Sequence, residues 1–439
     1  LGKRNRRKPM PSTTAAEVAD PDAVPVSPAR AFWAAWSGWM LDGFDSGLYI
    51  FVLVPALIDL LHSGGLEASK GNIAQYGGYL VSIFMLGWAC SMFWGWLADR
   101  IGRVKVMCLT ILFYAFATAL CGIAWSLTSF AVFRFLSGFG IGGEWAAGTP
   151  MLQESVPERM RIRLASWLHT ATPIGNLLAV CASFLVPMIG WRGVFLLGVL
   201  PALLTVWLRR NVPEPTVWRR GAPGAARAGI GPMFRGPQAR TTWAAAGMMA
   251  CIIFGLWSCT FWAPTLIVSR LTAAGTPMAL AQRTASFSGL MLNGGTVLAC
   301  GLMPWIATFI GPRRRAAAIF FLGSLVSVFA AYILAAEVMN SVTFFIWLLP
   351  PLGFFTNGVF ALFTLWLPEL FPTAQRSFGA GFAFSLGRVL GAVGPTLVGT
   401  LVMITGSYPW AIAAVSVIYL VGLPAIALAP ETAGKPLPA

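Results

Sequence analysis

The chain has 439 residues, 57% of them hydrophobic and only 10% charged, with a formal net charge of +15. Soluble domains carry about 25% charged residues, so a water-soluble globular fold is excluded and an all-α, polytopic membrane protein is expected. The positive charge does not indicate nucleic acid, because Lys and Arg gather in short segments between apolar runs, the alternating loop bias of the positive-inside rule.

Residues 1–30 are basic, then rich in Pro, Ala and acids, with no apolar core; they read as a disordered cytoplasmic arm. The first apolar run, about 31–61, carries Asp42 and Asp45. In a helix that spacing puts both carboxylates on one face, near the bilayer midplane. An ionised carboxylate there costs about 2.5–3.5 kcal/mol even on a lenient insertion scale, so such groups normally face a wet interior and relay protons or hold ions. The alternative is a pair satisfied by neighbouring Ser, Tyr or Arg groups that only packs helices.

Eleven further spans follow at roughly 77–98, 104–124, 129–152, 164–187, 191–208, 241–268, 285–310, 315–336, 342–371, 377–403 and 408–428. Twelve spans place both termini on the cytoplasmic side, with the basic loops. The longest polar break, 209–240, divides an N-terminal bundle (31–208) from a C-terminal one (241–428), and 429–439 form a cytoplasmic tail. Span four holds Arg134 and Glu144 on roughly the same face; Glu144 either joins Asp42 and Asp45 in proton handling or neutralises a cation. His169 in span five can titrate near neutral pH, though a lone helical His is commonly a packing residue. The mid-span amides Asn176, Asn293 and Asn357 either line a cavity or join helices. Arg388, about 11 residues into span eleven, offers a planar donor fork suited to a carboxylate; the alternative is a structural arginine on backbone carbonyls. All seven cysteines lie in apolar segments without a C-x-x-C pair or Cys/His cluster, so no disulfide framework, metal or cofactor is indicated. An enzyme is not expected, since no H-E-x-x-H, nucleophile elbow or phosphate-cradling loop occurs.

Two echoes relate the halves. Gly95-Trp96-Leu97-Ala98-Asp99-Arg100-Ile101-Gly102-Arg103 follows span two, and Pro304-Trp305-Ile306-Ala307-Thr308-Phe309-Ile310-Gly311-Pro312-Arg313 follows span eight. An E-x-x-P-x-x-x-R pattern follows spans four and ten, from Glu154 to Arg161 and from Glu369 to Arg376. Together they imply a duplicated bundle with a central site between halves that rock.

G-x-x-x-D-R-x-G-R after span two, with Arg134, Gly138 and Gly140 in span four, resembles the major facilitator superfamily across all twelve spans. Asp42-Gly43-Phe44-Asp45, Gly142-Gly143-Glu144-Trp145, Val212-Pro213-Glu214-Pro215 and the stretch from Pro368-Glu369 through Gly387-Arg388 are similar to the sialate and lactate type of metabolite–proton symporters. The D-G-x-D pair recurs in the related aromatic acid–proton symporters. The resemblance implies two pseudo-symmetric six-helix bundles in the inner membrane, with a small organic carboxylate and protons as cargo and a monomer as the working unit. Asp42, Asp45 and Glu144 are then expected to couple protons, and Arg388, Arg134 and Asn357 to bind substrate. Asp99, Arg103, Glu154, Arg161, Glu369 and Arg376 are expected to form a cytoplasmic gate, with Asp99 capping a neighbouring helix N-terminus. Thr308 stands where the family has an acid, which leaves that lock mainly to the first half. Thr170-Ala171-Thr172-Pro173 in span five lacks the glycine-proline motif of drug–proton antiporters, which disfavours export. A sugar, polyol or amine cargo, or a ligand-binding sensor, remain as alternatives.

Overall fold

The computed structural model describes residues 27–90, 92–156, 160, 164, 167–214, 231–371 and 376–435. The helices, in chain order, are α1 (Pro28–Ser63), α2 (Lys70–Ala89, continued by Met92–Ile101), α3 (Arg103–Gly122), α4 (Leu127–Ser155), α5 (Ala171–Ser183) and α6 (Val186–Leu204). The second half supplies α7 (Gly236–Ala273), α8 (Met278–Ile310), α9 (Arg313–Val338), α10 (Val342–Trp347 with Leu349–Glu369), α11 (Arg376–Gly391 with Val393–Thr405) and α12 (Tyr408–Leu428). Among the described residues nine of these are long and apolar enough to cross a membrane. The protein is a multi-pass membrane protein.

Several helices begin before their hydropathy suggests, α2 and α8 furthest. α2 starts at Lys70 instead of 77 because Ser69 caps it, its side chain accepting from the Asn72 N–H at 3.2 Å. Its first turns are too polar to score as a span. α8 likewise starts at Met278, through the polar stretch Ala281-Gln282-Arg283-Thr284. α1 begins at Pro28, inside the expected arm, while residues 1–26 and 215–230 of the arm and linker lie outside the described residues.

Packing repeats between the halves. α1 lies on α5 and α4, α4 also on α2 and α3, and α3 on α6. Shifted by six helices, the same pattern recurs: α7 lies on α11, α10 on α8 and α9, and α9 on α12. The halves meet along two seams, α2 against α11 and α5 against α8, which that shift interchanges. Small residues allow the closest crossings, as expected in a membrane. A Cβ on Gly175 would collide with the Met40 carbonyl and one on Gly43 with the Thr172 carbonyl, which brings α1 and α5 together around the acidic pair. In the second half Gly387 faces Met249 and Gly391 faces Ile253, which sets α11 against α7 around Arg388.

A third echo of the duplication emerges here. Glu214, after α6, accepts the N–H groups of Val104 (3.1 Å) and Lys105 (3.0 Å) at the start of α3. Glu431, after α12, accepts those of Arg313 (2.9 Å) and Arg314 (3.1 Å) at the start of α9. The carboxylate at each helix N-terminus is favoured by the dipole and satisfies orphan donors. Both sit in a Pro-Glu dipeptide, Pro213-Glu214 and Pro430-Glu431. Glu214 thus supplies an anion at the start of α3; the side chains of Asp99, Glu154, Arg161 and Arg376 lie outside the described residues. Arg103 opens α3, and Glu369 ends α10, where it pairs with Arg313 at 3.2 Å and accepts the Thr432 hydroxyl at 2.6 Å. Both Glu369 partners belong to its own half.

Partial burial pushes the Glu431 carboxyl up, but the N–H groups of Ala433, Arg314, Arg313 and Thr432 outweigh this and hold it below the usual range. A carboxyl depressed by folding stabilises above its unfolded value, about pH 4.3, and that contribution is lost as pH falls through the folded value. Glu431→Gln is therefore expected to lower the thermal midpoint at pH 7, by roughly 1 kcal/mol as for a lost N-cap. Its deficit against the parent protein should shrink below about pH 4. Midpoints in detergent at both pH values check this, and equal midpoints at pH 7 would contradict it.

Candidate functional site

A cavity of about 170 Å³ lies between the halves and is lined from both. From the first half come Asp42 and Ser46 of α1, Trp88 of α2 and Asn176 of α5, with His169 and Thr172 at the start of α5. From the second come Trp257 of α7, Asn293 of α8, Asn357 and Phe360 of α10, and Arg388 of α11.

Three residues span 300° of a helix, which leaves Asp42 and Asp45 about 60° apart. That offset separates them. Asp42 borders the cavity at 4% exposure. Asp45 turns into the interior of its own half at 0%, where its Oδ2 accepts the Ser137 hydroxyl at 2.7 Å. Ser137 in turn stands 3.0 Å from the Thr118 hydroxyl. Arg134 is close enough for its charge to act on Asp45. The Arg134 guanidinium is itself sandwiched between the rings of Tyr49 (4.4 Å) and Phe84 (4.2 Å), a cation–π arrangement that compensates its lost hydration. Arg134 is fully buried and is not part of the cavity wall.

Glu144 lies behind Asp42. Its carboxylate fills the space that the absent side chain of Gly38 leaves on α1, at 1% exposure. Neither of its oxygens has a hydrogen-bond partner among the described residues, nor does Asp42 Oδ1 or the Tyr114 hydroxyl beside Asp42. Glu144, Asp45 and Arg388 are the charged groups close enough to act on Asp42. Asp42 Oδ1 and both Glu144 oxygens are thus buried without a donor among the described residues, which is costly for a pair of anions.

Arg388 reaches the cavity from the opposite half, 7% exposed, with its guanidinium over the rings of Trp88 (4.4 Å) and Phe384 (5.5 Å). Among the described residues it forms no ion pair and no hydrogen bond, so its donor fork is available to a ligand. Asn357 lines the same cavity, its amide 3.5 Å from the Thr356 hydroxyl. Asn176 and Asn293 line it too, on the α5–α8 seam. Of the residues expected to bind or couple, the structure thus brings Asp42, Arg388 and Asn357 to one cavity, with Glu144 behind its wall. It sets Asp45 and Arg134 together inside the first half.

The aromatic surround was not legible in the sequence. Trp88 and Trp257 meet edge to face at 6.2 Å, each against Phe84 at 5.8 and 6.3 Å. Trp39 meets the His169 ring at 5.1 Å, and Phe360 stacks on its other side at 6.3 Å. With 19 tryptophans in the chain, no local signal marks those that face the cavity.

The profile described as Major Facilitator Superfamily matches residues 35–395. A probable 4-methylmuconolactone transporter of Cupriavidus pinatubonensis is 29% identical over 380 residues, covering 85% of this chain and 83% of that one. A sialic acid transporter of Escherichia coli is 26% identical over 372 residues, covering 84% and 86%. Among solved structures, a D-xylose–proton symporter superposes with a TM-score of 0.70 at 20% identity, covering 94% of this chain and all of that one, a likeness of fold.

Proposed function

The chain belongs to the Major Facilitator Superfamily and is a transporter, not an enzyme; from that premise we propose that it imports an organic carboxylate with protons by alternating access. The observation that carries the reading is the cavity's pair of opposed charges. Asp42 comes from the first half and Arg388, without an ion pair among the described residues, from the second, close enough to act on each other. Relatives named for sialic acid and for a muconolactone agree with an organic-acid cargo.

In this reading a proton taken from outside settles on Asp42, with Glu144 as the neighbouring store. Arg388, no longer attracted to an anionic Asp42, binds the substrate carboxylate through its fork, with Asn357 adding a hydrogen-bond group. Charge compensation lets the halves rock about the two seams at low electrostatic cost. The higher cytoplasmic pH then withdraws the proton, Asp42 competes for Arg388 again, and the anion leaves. Asp45 and Arg134 act as a fixed pair that holds α1, α3 and α4 in register. Asp99, Arg103, Glu154, Arg161, Glu369 and Arg376 carry the cytoplasmic gate, both termini lie in the cytoplasm, and each monomer works alone because it holds a complete cavity.

Counterflow in proteoliposomes tests the cargo. Vesicles preloaded with benzoate or lactate are expected to take up the labelled acid faster than protein-free vesicles, with other small carboxylates competing. Competition by sugars or amines, and by no carboxylate, would overturn the reading.

A further inference from the structure

The cavity has two chemically different ends. Arg388, stacked on Trp88, stands at the α2–α11 seam, while His169, at the start of α5, stands on the other seam's side. There His169 is the first half's link to α10. Its Nδ1 is 3.1 Å from the Thr364 hydroxyl, and its ring is held between Trp39 and Phe360. Thr364 has one hydrogen to give, and its hydroxyl donates to the Phe360 carbonyl at 2.9 Å. In the arrangement in which that hydrogen stays on the carbonyl, the oxygen accepts from the His169 Nδ1–H and leaves Nε2 as the acceptor. No carboxylate acts on the ring among the described residues. Nε2 is then an acceptor with no hydrogen-bond partner among the described residues, on a residue that lines the cavity. The amides Asn176 and Asn293 line the same cavity, the latter with its own N–H₂ donating 2.9 Å to the Gly289 carbonyl.

We propose that His169 is a specificity-determining residue whose Nε2, fixed as an acceptor by Thr364, selects organic acids that carry a hydroxyl or N–H donor remote from the carboxylate. This rests on the carboxylate reading above and narrows it. Arg388 grips the anionic end, and the opposite seam reads the polar end. An acid without the distal donor leaves Nε2 and its hydration lost without replacement, which penalises that acid more than a missing apolar contact would.

The test is a ratio of affinities, measured by tryptophan quenching of the purified full-length protein with benzoate, 3-hydroxybenzoate and 4-hydroxybenzoate. The parent protein is expected to bind one of the hydroxybenzoates at least tenfold more tightly than benzoate. In His169→Phe that ratio should fall to within about twofold of one. Thr364→Val frees the ring hydrogen to move between the nitrogens and should lower the ratio to an intermediate value. His169→Gln, which keeps an acceptor, should retain part of it. Equal binding of all three acids by the parent protein, or a ratio unchanged in His169→Phe and Thr364→Val alike, overturns the role of His169 while the carboxylate reading stands. Failure of every acid to bind would instead overturn the carboxylate reading, and this inference with it.

Discussion

Asp42→Asn is expected to abolish pH-driven accumulation of substrate while leaving downhill exchange measurable. The amide keeps the shape of the side chain and removes its ability to gain and lose a proton. One pH unit across the membrane is worth about 1.4 kcal/mol per proton, which at one proton per substrate supports roughly tenfold accumulation. The variant should therefore settle near an internal-to-external ratio of one at any imposed gradient, where the parent protein follows the gradient. Asp45→Asn makes the internal control. Its carboxylate faces Ser137 and Arg134 inside the first half and not the cavity. Losing a hydrogen bond to a charged group costs about 1.5–3 kcal/mol, so the expected phenotype is a lower thermal midpoint with coupling preserved in the folded fraction. If Asp45→Asn uncouples transport and Asp42→Asn does not, the division of labour between the two acids is reversed and the cavity-facing assignment fails.

Arg388→Ala should weaken binding of a carboxylate by about 2–5 kcal/mol, a thirtyfold to several-thousandfold rise in Kd, because the fork is enclosed by aromatic rings and shielded from water. Arg388→Lys separates charge from geometry. The ammonium keeps the positive charge but loses the bidentate fork and the planar stack on Trp88, so an intermediate loss of tens of fold is expected. Titration of intrinsic fluorescence reads both variants directly, since Trp88 lies 4.4 Å from the guanidinium. A Kd in Arg388→Ala within threefold of the parent would remove Arg388 from the substrate contacts.

The architecture was readable because hydrophobic runs, basic loops and the two motif echoes each follow from the bilayer as solvent. Span positions agree to within several residues, the largest early starts being the polar first turns of α2, capped by Ser69, and of α8. That Asp42, Asp45 and Arg388 lie within long apolar helices was equally legible, since that depends only on position along the chain. What separated Asp42 from Asp45 was not: an offset of 60° acquires meaning only once the neighbours of α1 are known. Arg134 illustrates the same limit, because residue type and depth recommend it for an anion, while Tyr49, Phe84 and Asp45 enclose it. The Pro213-Glu214 and Pro430-Glu431 echo was visible in the sequence, and only the helix starts that it caps reveal its use. His169 read as a packing residue because the partners that set it against the cavity, Phe360 and Thr364, are nearly 200 residues away.

Coupling itself is tested most directly by trapping a pH-sensitive dye in proteoliposomes and adding a carboxylate, such as 4-hydroxybenzoate, with no imposed gradient and no sodium. The account predicts acidification of the lumen that tracks substrate entry, exceeds the leak of protein-free vesicles and disappears in Asp42→Asn. Substrate entry without acidification, or acidification that persists unchanged in Asp42→Asn, would contradict it.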